Sequence, residues 1–157
     1  KNGIDSVEFL ASTNPGEPLK PISKMASTGE ISRFMLAIKS AMSSSGTVPC
    51  VVFDEIDIGV GGRSGEVLGK KLWLFSRDRQ VICITHLPQL AAFADTHYKV
   101  IKSQKDGRNT SYIVTLDKQK RTEELSVMLS SEKYSEKAVA NAEELLLIAS
   151  DWKKTTG

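Results

Sequence analysis

Two adjacent acids, Asp54 and Glu55, close the apolar run "VVF" and stand directly before the glycine-rich "IDIGVGGR". The first of such a pair can hold a magnesium ion through its waters. The second, displaced by the alternation of a strand, is then aimed at an attacking water. Phosphoryl transfer needs both parts, together with donors for the charge on a γ-phosphate. His86, at the end of the run "QVICITH", is a side chain able to be one such donor. The plainer reading of Asp54 and Glu55 is a strand-terminal turn with solvated acids. For His86 the alternative is a zinc ligand, but no His or Cys cluster at ligand spacing accompanies it. His97, between an acidic turn and a strand, reads as a surface or margin residue.

These side chains matter only if the chain brings them together. A run of β-branched and aromatic residues ending at a turn reads as a buried strand, here at 51–53. A helix follows from about Ser64 to Ser76, with Val67, Leu68, Leu72 and Phe75 inward. Then comes a second strand at 81–84. A strand, helix, strand order demands parallel strands and a right-handed crossover. Both carboxyl ends then lie at one edge of an α/β sheet, which is where ligands bind in such sheets. His86 is thereby expected beside Asp54 and Glu55.

Upstream, Val7 to Ser12 reads as a short strand, "NPGEP" as a break and "LKPISK" as a loop. The segment after "ASTGE" has helical periodicity, with Ile31, Phe34, Met35, Ile38 and Met42 as its apolar stripe, until "SSSGTVP" ends it. Downstream, "LPQLAAFAD" is a short helix, and "HYKVIKS" and "SYIVTL" form a hairpin around "QKDGRN" on the sheet's margin. After "RTEELSVML" a long final helix starts at Ser135, with Ala138, Ala142, Leu145, Ala149 and Trp152 on one stripe. There is no internal repeat, so residues 1–157 read as a single unit.

The mouth of the first helix, "MASTGEISR", combines hydroxyls, unpaired backbone N–H groups and a positive dipole end, which is an anion site. Ser27 and Glu30 also fit an ordinary capping box. "GVGGRSG" lacks the Lys-Ser/Thr ending of a phosphate loop and reads as a flexible connector.

Composition narrows the class without naming a ligand. The 157 residues are 40% hydrophobic and 25% charged, the balance of a globular protein, and the net charge of +2 is too small to argue for nucleic acid. No apolar stretch approaches the roughly 20 residues that span a bilayer. The amino terminus has no apolar signal core, so a cytoplasmic address without membrane contact is expected. Cys50 and Cys83, each beside a strand-like run, are expected to be reduced and mostly buried.

"ASTGE", "VVFDEIDIGVGGR" and "VICITHLPQLAAFAD", in this order and spacing, resemble the signature motif, Walker B motif and histidine switch of SMC-related, ABC-type ATPase heads, in particular a bacterial DNA-repair branch of them. With "PISKMASTGEISR" and "RTEELSVMLSS…ANAEELL", the resemblance covers nearly the whole chain. It implies the α/β fold of a P-loop NTPase head, with a mainly parallel sheet flanked by helices and a marginal hairpin. It also implies ATP and Mg²⁺ as ligands, with Asp54 coordinating magnesium, Glu55 polarising the attacking water and His86 contacting the γ-phosphate. Ser27, Thr28, Gly29 and Glu30 would close over ATP bound to a second head, and Asp57, Gly59 and Gly61 would form the loop that contacts it. Thr28 stands where the signature usually has glycine, and Gly61 where many heads carry aspartate.

Nowhere does the chain contain G-x-x-x-x-G-K-[ST], the loop that cradles a triphosphate. The resemblance therefore implies the C-terminal lobe of a split head, partnered by an N-terminal Walker A lobe of the same protein and by a second head. DNA would be engaged through the full-length protein, in double-strand break repair by recombination on the nucleoid. A nonenzymatic lobe that binds partner heads or DNA is the alternative from another class. A magnesium-dependent phosphohydrolase or nuclease built on Asp54, Glu55 and His86 is a third, although a nuclease would need more carboxylates converging on the metal.

Overall fold

The structure is a computed structural model describing residues 3–12, 15–24, 27–42, 48–105, 108–130 and 135–157. Met25 and Ala26 of the signature segment lie outside the described residues, as do 43–47 of the helix-ending stretch and 106–107 of the hairpin turn.

The site is organised by a parallel pair of strands, β3 (Cys50–Phe53) and β4 (Gln80–Cys83), joined through helix α2 (Gly62–Phe75). The register sets Cys50 against Gln80 and Phe53 against Cys83, so both strands end together, as the crossover argument requires. One more bond, from Ile84 N–H to Phe53 O at 2.9 Å, carries the pairing to the point where the chain reaches Thr85 and His86.

Alternation divides the pair into two faces. Val51 and Phe53 are buried, with Val81 and Cys83 packed against the same cluster, beneath Leu68, Leu72 and Phe75 of α2. Phe53 and Phe75 meet edge to face at 6.1 Å. The opposite face carries Val52 (59% exposed), Ile82 (46%) and Ile84 (56%). A parallel pair normally has both faces covered. The parallel pairing expected of these two strands is formed, in a small sheet. The described residues make three two-stranded sheets, of which only β3–β4 is parallel. The others are β1–β2 (Leu10–Ala11 with Lys20–Pro21) and the β5–β6 hairpin (Tyr98–Lys105 with Arg108–Thr115). The segment read as the loop "LKPISK" thus contributes β2 and a 3-10 turn, Ile22–Lys24.

Two stripes differ from expectation for one reason, that neighbours choose the face. In α1 (Thr28–Ala41) the buried positions are Gly29 and Leu36, while Ile31, Met35 and Met42 are exposed. The face bearing Thr28, Gly29, Ser32 and Arg33 is turned to the loop after β3, whose carbonyls offer hydrogen bonds that an apolar stripe could not use. In α2 the buried positions are Gly65, Leu68, Gly69, Leu72 and Phe75, a 3–4 spacing that leaves Val67 outside. A Cβ on Gly65 would stand 2.3 Å from Leu87 Cδ2, and one on Gly69 2.6 Å from Phe93 Cδ2. These glycines let α2 approach the segment that follows His86, and Gly62 to Gly65 belong to the first turn of α2 and not to a connector.

Beyond His86, helix α3 (Pro88–Ala91) packs with α4 (Lys118–Leu129) and α5 (Glu136–Thr156). Leu125, Ala142 and Ala149 are fully buried among Phe93, Leu145 and Trp152, in agreement with the stripe expected for the last helix. Trp152 meets Trp73 and Phe93 edge to face at 5.5 and 5.8 Å. Arg121 Nη2 donates to the carbonyls of Ala91, Ala92 and Ala94 at 3.1, 2.9 and 2.6 Å, a cation at the C-terminal end of α3. Burial pulls the Arg121 guanidinium below its ordinary range, against the pull of Asp95. No helix of the described residues is long and apolar enough to cross a membrane.

Candidate functional site

Asp54 and Glu55 follow β3 immediately and His86 comes shortly after the end of β4, so the three reach the edge where both strands end. Asp54 and Glu55 are exposed there. Glu55 has φ of 58°, a left-handed conformation uncommon for a residue with a Cβ. Such backbone costs about 1–3 kcal/mol and persists where surrounding contacts over-determine it. Those contacts come from α1. Thr28 Oγ1 donates to Glu55 Oε2 at 3.0 Å, and Ser32 Oγ donates to Asp54 O at 3.3 Å. Arg33 Nη1 donates to Ile56 O and Ile58 O, both at 2.9 Å. Gly29 is buried against the same loop, where a Cβ would lie 3.0 Å from Ile58 O and 3.1 Å from Glu55 O.

The mouth of α1 therefore touches the acids of its own chain. Ser27 is the N-cap residue, but its side chain makes no capping bond, so the capping box with Glu30 is not formed. Thr28, at the position usually held by glycine, uses its hydroxyl on Glu55.

Asp57 and the glycines of its loop part company. Gly59, with φ of 72°, and Gly61, the N-cap of α2, are exposed. The side chain of Asp57 is only 1% exposed and is turned inward beneath His86. Its Oδ2 accepts from Thr85 Oγ1 at 2.5 Å and from the backbone N–H of His86 at 3.1 Å. The same oxygen lies 3.2 Å from His86 Nδ1. A contact from the Asp57 side chain to a second molecule does not fit this burial. Sequence reasoning also missed Arg33 and Thr85. The available signal for Asp57 and Thr85 was an acid two residues beyond Glu55 and a hydroxyl directly before the histidine.

Among the described residues no group of three His, Cys, Asp or Glu is placed to hold a metal ion. One exposed carboxylate nonetheless suits magnesium, which is commonly held by one or two carboxylates plus substrate phosphates and waters. Asp54 fits that mode and Glu55 stands beside it.

The remaining candidates are the two cysteines and His97. Cys50 and Cys83 are unbridged, as expected, but each is half-buried. Burial, with smaller contributions from Asp57 and Asp54, pushes the Cys83 thiol up to about 12. His97 is half-buried at the base of the β5–β6 hairpin, where its carbonyl accepts from Leu116 N–H at 2.9 Å, a margin position as expected. Burial lowers its pKa, helped by Arg121 and Lys99 and opposed by Glu124.

No family model matches the chain. It is 49% identical over 157 residues to the DNA repair protein RecN of Bacillus subtilis, covering all of this chain and 27% of that protein. With the protein of the same name from Vibrio cholerae it shares 42% over 147 residues, 94% of this chain and 26% of the relative. The chain thus spans about a quarter of the length of the curated relatives it matches. A solved structure described as "Structural biochemistry of ATP-driven dimerization and DNA stimulated activation of SMC ATPases" aligns with a TM-score of 0.51 at 26% identity, over 74% of this chain and 70% of that one. The motif resemblance thus extends along the sequence, and the mixed α/β fold is that of an SMC-type ATPase head.

Proposed function

We propose that this chain supplies the hydrolytic edge of an SMC-like, ATP-hydrolysing head that acts in DNA repair, with recombination at double-strand breaks as its setting and the bacterial nucleoid as its location. The carrying observation is the parallel register of β3 with β4, which ends both strands together beneath Asp54, Glu55 and His86. The RecN-like sequence and the SMC-head fold support the same reading. In this account the whole 157-residue unit is the C-terminal lobe. The Walker A lobe of the same protein holds the triphosphate and covers Val52, Ile82 and Ile84, the apolar face that this chain leaves open.

Asp54 would hold Mg²⁺, which when bound neutralises charge on the phosphates. Glu55, in acceptor form, orients the attacking water in line with the γ-phosphorus, and His86 meets the γ-phosphate from the neighbouring strand end. Ser27, Thr28, Gly29 and Glu30 act on ATP held by a second head, with Gly59 and Gly61 near the contact. The Thr28 hydroxyl, bonded to Glu55 in this structure, is then shared between two sites. DNA is engaged by the whole protein. The nuclease reading is less well supported, since no third ligand joins the two acids among the described residues.

Sedimentation of the protein rejoined to its Walker A lobe tests the shared site. With ATP and Mg²⁺, Glu55→Gln should accumulate as dimers, because the amide keeps the size of the side chain but not its acceptor charge. Ser27→Arg should bind ATP and stay monomeric. Dimerisation of Ser27→Arg at the parent level would remove the signature segment from the interface.

A further inference from the structure

We propose that Asp57 is the positioning residue of His86, holding the imidazole with Nδ1–H turned inward and Nε2 presented to the site edge. The inference rests on the reading of His86 as a site residue, and it adds which nitrogen does the work and what decides it.

The contacts around the carboxylate favour one arrangement of the ring. An ionised carboxylate only accepts hydrogen bonds. Asp57 Oδ2 faces three groups within 3.2 Å: the Thr85 hydroxyl, the His86 backbone N–H and His86 Nδ1. The backbone N–H can only donate. Thr85 Oγ1 already accepts from Leu87 N–H at 2.9 Å, which leaves its proton for the carboxylate. Nδ1 is the one group of the three whose proton is not already fixed, and a lone pair there would face the carboxylate oxygen unfavourably. Protonated Nδ1 satisfies it. The bonds to Thr85 and to the His86 backbone hold the carboxylate at the ring, so turning the imidazole away would leave them in place and lose only the Nδ1 contact.

The ring itself is 77% exposed while the carboxylate beneath is 1% exposed, so the outward nitrogen is Nε2. In the neutral ring Nε2 then accepts, from a water or another donor. Only the imidazolium can donate from both nitrogens, to Asp57 within and to a phosphate oxygen without. A buried carboxylate that orients a histidine and selects its tautomer does so in other catalytic sites.

The chain contains two histidines, His86 and His97, so histidine-selective ¹³C,¹⁵N labelling reads this site with an internal reference. Long-range ¹H–¹⁵N correlation at about pH 9, above the ordinary histidine range, should find His86 mainly as the Nδ1–H tautomer. Asp57→Ala should convert it to mainly Nε2–H and leave His97 unmoved. If that variant does not fold, the parent tautomer decides, since an imidazole without a partner at Nδ1 favours Nε2–H. His86 mainly as Nε2–H in the parent, or an unchanged tautomer in a folded Asp57→Ala chain, overturns the proposal. In the protein rejoined to its Walker A lobe, Asp57→Ala should lower kcat for ATP at nearly constant KM, and Asp57→Ala/His86→Ala should be no slower than His86→Ala. Additive losses would make Asp57 a clamp of the loop and not of the ring. If the tautomer is as stated but His86→Ala hydrolyses ATP at the parent rate, the positioning stands and it is the nucleotide role of His86 that fails.

Discussion

The helices around Leu125 close on themselves, whereas the strands that carry the acids are covered on one side only. In the first region α3, α4 and α5 bury Leu125, Ala142 and Ala149 completely, and Arg121 satisfies the carbonyls at the end of α3. In the second, α2 covers Val51 and Phe53 while Val52, Ile82 and Ile84 face outward. The difference separates a region whose core is closed from one whose sheet keeps an apolar face open. The helical region anchors the segment after His86, and the sheet region brings the acids to one edge.

The contrast is broken most directly at Leu125. Its replacement by alanine should lower the unfolding free energy by about 2–5 kcal/mol, the cost of an unrelaxed core cavity, measured as a shift in the urea midpoint. A loss under about 1 kcal/mol would mean that the helical region is not closed. Val52→Thr tests the open face. In this chain it should change stability by less than about 0.5 kcal/mol, as exposed substitutions do. Joined to the Walker A lobe it should cost about 1–3 kcal/mol, because the hydroxyl is then buried. Equal effects in both settings would remove that lobe from the face.

The smallest effect belongs to His97. Its folded pKa lies below the ordinary value near 6.5. Between the two values the unfolded chain binds more protons, so stability should fall as pH falls through the range below about 6.5. His97→Gln should flatten that slope between about pH 7.5 and pH 5, where His97 otherwise charges on unfolding. An unchanged slope would mean that His97 is not held neutral in the fold.

Which parts of this were legible in the sequence follows from the range of the interactions. The convergence of Asp54, Glu55 and His86 depends on strand order and crossover geometry, both local enough to read from apolar runs and turns. The last helix was legible because Ala138, Ala142 and Ala149 are buried by a stripe that its own neighbours cover. The face of α1 was not. Periodicity ranks residues by hydropathy, and here the contact face is made by Thr28, Ser32 and Arg33 bonding to carbonyls and a carboxylate more than twenty residues away. The contacts of Asp57 were not legible for the same reason, since Thr85 and His86 reach it only through the β3–β4 pairing. The half-covered sheet could not be read from "VVF" at all, because an apolar run looks alike whether its second face is packed by this chain or by another.

The central claim is that this chain brings the hydrolytic acids and another lobe brings the phosphate cradle. Phosphate release from ATP and Mg²⁺ tests it on three proteins: this chain, the chain rejoined to its Walker A lobe, and the rejoined protein with Glu55→Gln. The account predicts turnover in the rejoined parent alone, with Glu55→Gln still binding ATP. Hydrolysis by the isolated chain, or by Glu55→Gln at the parent rate, would contradict it.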